Sequence, residues 1–131
     1  MAGLGIPPTL SGIPLPVVLR NGTETVDLLA YVDTGASNCL FARKQGEMLN
    51  LNVEGGEPKT FRTANGRVDT FGHSVSLETL DIKVESMVYF FADPRINKNL
   101  LGRAGWLDRV FFGLVEHCQM LYLASYDLES R

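Results

Sequence analysis

The residue best placed for chemistry is Asp33, which ends the apolar, strand-like run of residues 26–32. A catalytic carboxylate needs a fixed position, nearby hydrogen-bond donors and room for water, and a tight loop after a core strand supplies all three. Gly35 has no Cβ, so a ligand's backbone can approach it closely, and the Thr34 hydroxyl can hold the loop from behind. The same residue types are common in turns, so an Asx-type turn at a strand end is the alternative interpretation.

Other chemistry-bearing side chains are few and scattered. His117 and Cys118 are adjacent, so on a strand they would point to opposite faces. With His73 as the only other histidine, the sequence predicts no metal site and no cofactor. Cys39 lies in an apolar context, which favours a buried core thiol over a catalytic one. Trp106 is likewise expected in the core.

The elements that must position Asp33 are mostly β-strands. Asn21-Gly22 is a strong hairpin signal between two apolar runs, and prolines at 14 and 16 predict that the first strand lies at a sheet edge. A second Asn-Gly hairpin at Asn65-Gly66 has polar arms, so it is expected to project from the body and move. The predicted elements are strands at 13–20, 24–32, 59–64, 67–71, 74–91, 99–101 and 111–124, a short helix or an irregular turn at 42–51, one or two turns of helix at 103–110 and a loop at 93–98.

Length and composition predict one globular domain over residues 1–131. The chain is 45% hydrophobic and 21% charged, which argues against disorder. A net charge of −3 gives no reason to expect a nucleic-acid partner. No apolar run approaches the roughly 20 residues needed to cross a bilayer, and the first residues lack a signal-peptide pattern. We therefore expect a cytoplasmic protein with no membrane partner.

The order of these motifs along the chain resembles the retropepsin-like aspartic proteases, which are single-domain and homodimeric. The resemblance rests on Asp33-Thr34-Gly35-Ala36-Ser37, a polar hairpin with a glycine at its tip, and Asn99-Leu100-Leu101-Gly102-Arg103, and runs from about Ile13 to Leu123. It implies an all-β fold: a small closed antiparallel β domain of the acid-protease type, with one short C-terminal helix and a flap hairpin.

The resemblance also implies a role for each matching residue. The catalytic residues would be Asp33, Thr34, whose hydroxyl bonds across to a partner loop, and Gly35, whose carbonyl meets the substrate backbone. Substrate-binding residues would be Ala36, Leu101 and the flap tip of Thr63, Ala64, Asn65, Gly66 and Arg67. Leu100, Gly102 and Arg103 would support the active-site loop, with Arg103 opening the C-terminal helix. Relatives pair this arginine with an acid at the position of Ser37, so here Arg103 needs another partner.

The reaction implied by the resemblance uses two aspartates that share a proton. The other aspartates that could supply the second acid are not followed by Thr-Gly or Ser-Gly; they are Asp27, Asp69, Asp81, Asp93, Asp108 and Asp127. The second acid is therefore expected from a second copy of the chain, joined through residues 119–128 or the N-terminal segment. Ala36 has no hydroxyl to offer the carboxylate, which predicts an optimum at weakly acidic pH.

The resulting hypothesis is a homodimeric aspartic endopeptidase that binds an extended peptide and needs no cofactor. A noncatalytic dimerisation or peptide-binding module on the same fold is the alternative, and a hydrolase of another class is a weaker third.

Overall fold

The structure, a computed structural model, describes residues 11–108. Within them the chain forms seven strands and one α-helix. These are β1 (Pro14–Asn21), β2 (Glu24–Val32), β3 (Leu40–Phe41), α1 (Arg43–Met48), a 3-10 turn (Val53–Gly55), β4 (Glu57–Thr63), β5 (Gly66–Thr79), β6 (Ile82–Phe91) and β7 (Leu100–Leu101). The all-β prediction is confirmed, and of the two alternatives predicted for residues 42–51, a helix or an irregular turn, the structure has the helix. The predicted strand at 111–124 and the dimer-forming segments lie outside the described residues.

The strands form one sheet in the order β1-β2-β7-β3-β6-β5-β4. Most neighbours are antiparallel, while β2–β7 and β3–β6 are parallel pairs. β1 pairs a second time, with β5, through Val18, Leu19 and Arg20. This second pairing closes the sheet on itself, so the side chains that alternate inward along the strands enclose the core.

The prediction that β1 lies at a sheet edge holds for only part of the strand. Pro14 and Pro16 lie in the half that pairs with β2 alone. Residues 18–20 pair on both sides, so this half is central rather than an edge. The reason is the backbone: proline cannot donate to a ladder, whereas Val18, Leu19 and Arg20 all carry an N–H.

Both predicted Asn-Gly hairpins are present. β1 and β2 pair from Asn21↔Glu24 outward, and β4 and β5 pair from Thr63↔Gly66 outward. The predicted alternating run at 74–91 is two strands, because a tight turn at Leu80-Asp81 separates β5 from β6. Leu80 and Asp81 have φ of 52° and 63°, as a two-residue hairpin turn requires.

The core is built mainly from side chains of the closed sheet and the segment after β7. Trp106, Phe41, Phe90 and Leu101 are fully buried, and Cys39 is buried with them, as predicted for a core thiol. A second, smaller apolar cluster consists of Leu40, Tyr89 and Phe91, with Phe61, Val68, Ile96 and Leu100 packed against it. This second cluster lies beside the candidate site.

The predicted helix at 103–110 begins later than expected. Residues 103–106 form turns, with an isolated bridge between Asn38 and Ala104, and helical residues start at Leu107. Arg103 therefore does not open the helix: Gly105, with a φ of 95°, has a left-handed backbone that a right-handed helix does not contain. Residues beyond 108 are not described. Within residues 11–108 no helix has the length and apolar character that a membrane crossing demands.

Candidate active site

Asp33 is held at the end of β2 by the neighbouring strand β7. Tyr31 and Val32 pair with Leu100 and Leu101 in parallel register. The Asp33 backbone N–H then donates to the Leu101 carbonyl at 2.9 Å. Because Leu101 is fully buried, this bond ties the carboxylate-bearing residue to the rigid core rather than to a free loop.

The loop after β2 folds back on the Asp33 side chain. The Gly35 N–H donates to Asp33 Oδ1 at 3.0 Å, and the Ala36 N–H donates to the Asp33 carbonyl at 3.1 Å. Within residues 11–108 the structure shows no donor to the second oxygen, Oδ2. One carboxylate oxygen is thus fixed by the loop, and the other is left for water, substrate or a second acid.

The far side of the same loop is fastened by residues 102–104. The Arg103 N–H donates to the Ala36 carbonyl at 3.0 Å, and the Ala104 N–H donates to the Ser37 carbonyl at 2.8 Å. A Cβ on Gly102 would collide with the Asn38 carbonyl and come within 2.9 Å of the Ala36 carbonyl. The position of Gly102 therefore suits the predicted supporting role, since only glycine allows this close approach.

Arg103 acts on the loop through its backbone. Its side chain is exposed and forms no ion pair with any residue between 11 and 108. Ser37 stands where relatives have the acid that pairs with this arginine, and no other acid within residues 11–108 takes its place.

Thr34 contacts the segment that precedes β1. Its N–H donates to the Ser11 hydroxyl at 3.1 Å, and the two hydroxyl oxygens are 3.3 Å apart. In the single chain the Thr34 hydroxyl thus lies within hydrogen-bond distance of the Ser11 hydroxyl. That the Thr34 hydroxyl bonds to the loop of a partner chain stays a prediction.

A cavity of about 270 Å³ opens directly beside Asp33. Its floor comes from the loop after β2 and its cover from the end of β4; the lining residues are Asp33, Gly35, Ala36, Ser37, Leu40, Phe61, Arg62, Thr63 and Leu100. We call it the acid cavity. The predicted residues Asp33, Gly35, Ala36 and Thr63 are thus brought together around one space.

A second cavity, of about 380 Å³, adjoins the first and is mostly apolar. The two share Leu40, Thr63 and Leu100, and the second is completed by Ala64, Asn65, Val68, Phe91, Ile96 and Lys98. We call it the apolar cavity. A groove of about 460 Å³ between β1, β2 and the β5–β6 turn is larger, but it contains none of the residues predicted for the site.

The two leucines of β7 lie in places opposite to those that their predicted roles require. Leu101, predicted to bind substrate, is fully buried and lines neither cavity beside Asp33. Leu100, predicted as support, is half-buried and lines both cavities. The cause is strand alternation: successive side chains point to opposite faces, so only one of two neighbours can face the cleft.

The tip of the β4–β5 hairpin is closed by Thr63. Its hydroxyl donates to the Gly66 carbonyl at 2.8 Å and accepts from the Asn65 N–H at 3.2 Å. Gly66 has a φ of 112°, which favours glycine. Ala64 and Asn65 line the apolar cavity, whereas Gly66 and Arg67, also predicted to bind substrate, line neither.

The sequence reasoning missed several lining residues, mainly Leu40, Phe61, Val68 and Ile96. A signal was available for two of them. Phe61 and Val68 are apolar residues within otherwise polar hairpin arms, and they are directly opposite in the observed register. An apolar pair on one face of a hairpin indicates a covered face, here the one over the cavities.

Among residues 11–108 the other chemistry-bearing side chains, His73 and Cys39, have structural roles, while His117 and Cys118 lie outside the described residues. His73 donates from Nε2 to the Val53 carbonyl at 2.9 Å. Burial raises the pKa of the Cys39 thiol to about 12, opposed by a smaller effect of a backbone hydrogen bond from Gly102. Such a thiol is not a nucleophile at neutral pH. Between residues 11 and 108 no three histidines, cysteines or acids come together in a way that could hold a metal ion.

Comparisons with known proteins agree with this geometry. No curated protein sequence matches the chain. Among solved structures it is similar to the EIAV protease complexed with the inhibitor HBY-793, with 18% identity and a TM-score of 0.55 over 70% of this chain and 81% of that one. The match confirms the predicted acid-protease fold. The family model for aspartyl proteases matches residues 13–104, which is more than half of the chain, and the chain therefore belongs to the aspartyl protease family.

Proposed function

We propose that this protein is an aspartic endopeptidase that acts as a homodimer, with Asp33 of each chain at the active site. The observation that carries the proposal is the setting of Asp33. One carboxylate oxygen is fixed by the Gly35 N–H, the backbone is tied to the buried Leu101, and the carboxylate lines a cavity of about 270 Å³ under β4. This is the fixed acid with room for water and substrate that acid–base hydrolysis needs.

The second acid comes from a second copy of the chain. Asp33 is the sole acidic residue among the described residues that line the acid cavity or the apolar cavity. Peptide hydrolysis by aspartate side chains requires two carboxyl groups, one to activate water and one to protonate the carbonyl oxygen. A symmetric dimer places two copies of one residue at its axis, which meets this requirement without a second motif in the chain.

In this mechanism the two carboxylates share one proton, because two like charges so close do not both ionise. The ionised carboxylate takes a proton from water as the water attacks the peptide carbonyl. The protonated one gives its proton to the carbonyl oxygen, which yields a gem-diol. The carboxyl group that took the proton from water then gives it to the leaving nitrogen as the C–N bond breaks, while the other carboxylate takes a proton from the gem-diol, which becomes the carboxylic acid product.

The substrate is an extended peptide that lies between β4 and the loop after β2. Peptides bound in this way add main-chain hydrogen bonds to a strand and place alternate side chains in pockets. The exposed backbone at Gly35 is the anchor on the floor, and Thr63, Ala64 and Asn65 are the cover. The apolar cavity suits an apolar side chain of the peptide.

The test combines molecular size with cleavage of an unstructured protein. The wild-type protein should run as a dimer and cut the unstructured protein, and Asp33→Asn should abolish cutting while the fold is kept. Asp27→Asn is the matched control, because Asp27 is exposed on the same strand and lines neither cavity beside Asp33. Cleavage that survives Asp33→Asn would refute the catalytic role, and a folded dimer that binds peptide but never cuts would favour the noncatalytic module.

A further inference from the structure

Lys59 is an exposed residue of β4 that does not itself line the acid cavity but contacts Phe61, which does. Its ammonium nitrogen lies 5.1 Å from the centre of the Phe61 ring and 5.2 Å from that of Tyr89. The two rings meet edge to face, with centres 5.5 Å apart. The same nitrogen donates to Asn38 Oδ1 at 3.4 Å. Two aromatic faces and an amide oxygen from three separate elements thus hold one flexible side chain in place.

No acid within residues 11–108 forms an ion pair with this ammonium, although Glu57, two residues before Lys59 on β4, lies close enough to act on the neighbouring Tyr89. The ion pairs found there involve Arg43 and Arg95, and Glu57, the acid on the same strand, does not pair with Lys59. Tyr89 supplies no charge either, because burial, and to a smaller extent Glu57, raises the pKa of its phenol above the ordinary value. The Lys59 side chain is therefore available to an acidic group of a bound ligand.

The position of Lys59 continues the row of side chains that covers the cleft. Lys59, Phe61 and Thr63 are alternate residues of β4 and share one face of the hairpin, and Phe61 and Thr63 line the acid cavity. Ser37, also a lining residue, precedes the Asn38 that contacts Lys59. Alternate residues of a strand are about 7 Å apart, which is also the spacing of alternate side chains in an extended peptide.

We propose that Lys59 is a specificity-determining residue that selects peptides with an acidic side chain two residues from the one that occupies the acid cavity, on the side away from the hairpin tip. This rests on the proposed function. A glutamate or aspartate of the peptide forms a charge-assisted hydrogen bond with the ammonium. Because the lysine is already held by Phe61, Tyr89 and Asn38, little side-chain freedom is lost on binding.

The experiment uses peptides in which each position around the cut is occupied in turn by Glu, Gln or Lys. For the wild-type dimer, kcat/KM for Glu over Gln should be about fivefold at one position, the size of a partly exposed ion pair, and the ratio should shrink as salt is raised. Lys59→Gln should bring the ratio to one, Lys59→Arg should keep it, and Lys59→Glu should favour the Lys peptide. The control Lys83→Gln, on the exposed side of β6, should leave the ratio unchanged.

Two outcomes would overturn the inference while the proposed function stands. One is a Glu-to-Gln ratio near one at every position of peptides that are cut. The other is a Lys59→Gln variant that cuts all peptides more slowly by one common factor. This result would mean that Lys59 only holds β4 against the loop after β2 and does not select the peptide sequence.

A binding measurement separates this inference from the endopeptidase proposal. Fluorescein-labelled Glu and Gln peptides are titrated into Asp33→Asn protein with and without Lys59→Gln, followed by anisotropy. Tighter binding of the Glu peptide that disappears with Lys59→Gln supports the inference even if no peptide is ever cut. Equal binding of the two peptides to Asp33→Asn protein contradicts it.

Discussion

The adjacent leucines of β7 give a sharp test of how the site is built. Leu101 is fully buried beneath the Asp33 loop, whereas Leu100 is half-buried and lines both cavities. The same substitution, leucine to alanine, is made at each position. Because the chemistry of the change is identical, any difference between the two variants reports the environment of the side chain.

The expected magnitudes follow from burial. Leu101→Ala removes a side chain from a packed core, which costs about 2–5 kcal/mol in the free energy of unfolding. The Leu100 side chain buries less area than the Leu101 side chain, so Leu100→Ala should lower the free energy of unfolding by less than about 2 kcal/mol. Its main effect should be on peptide binding: the loss of half of a leucine's apolar contact, about 1 kcal/mol, raises KM about fivefold. Leu101→Ala should leave KM nearly unchanged, since the Leu101 carbonyl still holds the Asp33 N–H.

The assays are urea unfolding at one fixed protein concentration, because dimer stability depends on concentration, and peptide cleavage under conditions where both variants are folded. Equal losses of stability in the two variants would refute the assignment of Leu101 to the core and Leu100 to the cleft. A larger rise of KM in Leu101→Ala than in Leu100→Ala would refute it as well.

Two further predictions concern the surroundings of the loop. Gly102→Ala should lower the free energy of unfolding by about 1–3 kcal/mol and reduce cleavage, because the new Cβ collides with the Asn38 carbonyl. The control Gly55→Ala, whose Cβ meets only the Asn52 side chain, should change neither quantity. Equal losses of stability for the two variants in urea unfolding would contradict this prediction. In a Cys118→Ser background, Cys39, with its pKa raised to about 12, should react with a thiol reagent far more slowly than in urea. The folded state keeps this proton and the unfolded state loses it above its ordinary pKa of 9.0, so the contribution to stability is complete below about pH 9 and falls as the pH rises towards 12. Rapid labelling of native protein at neutral pH would contradict this account.

Local patterns predicted much of the fold because they act over a few residues. The two Asn-Gly dipeptides correctly marked two hairpins, and in each it is the glycine, Gly22 or Gly66, that has the positive φ. The alternation of Val75, Leu77 and Thr79 within the predicted strand 74–91 is typical of a buried face, and all three side chains are buried. The apolar run before Asp33 predicted a core strand ending in a tight loop, and β2 ends at Val32.

What could not be predicted depends on pairing between distant segments. Nothing local indicates that β1 pairs with β5 as well as β2, because register is set by the assembled sheet. The turn at Leu80-Asp81 lacks the glycine or asparagine that usually marks positive φ. A strand of two residues is too short to show a period, so the opposite orientations of Leu100 and Leu101 were not readable. Lys59 has its setting only because three elements converge on it.

The most direct test of the central claim mixes wild-type and Asp33→Asn chains at constant total protein and measures peptide cleavage after the subunits have exchanged. If both Asp33 carboxylates of a dimer are needed, only dimers of two wild-type chains are active, and activity falls as the square of the wild-type fraction. In an equimolar mixture about one quarter of the dimers contain two wild-type chains, so about one quarter of the activity of the same amount of wild-type protein should remain. Activity that falls linearly with the wild-type fraction would show that each chain works alone and would contradict the shared site.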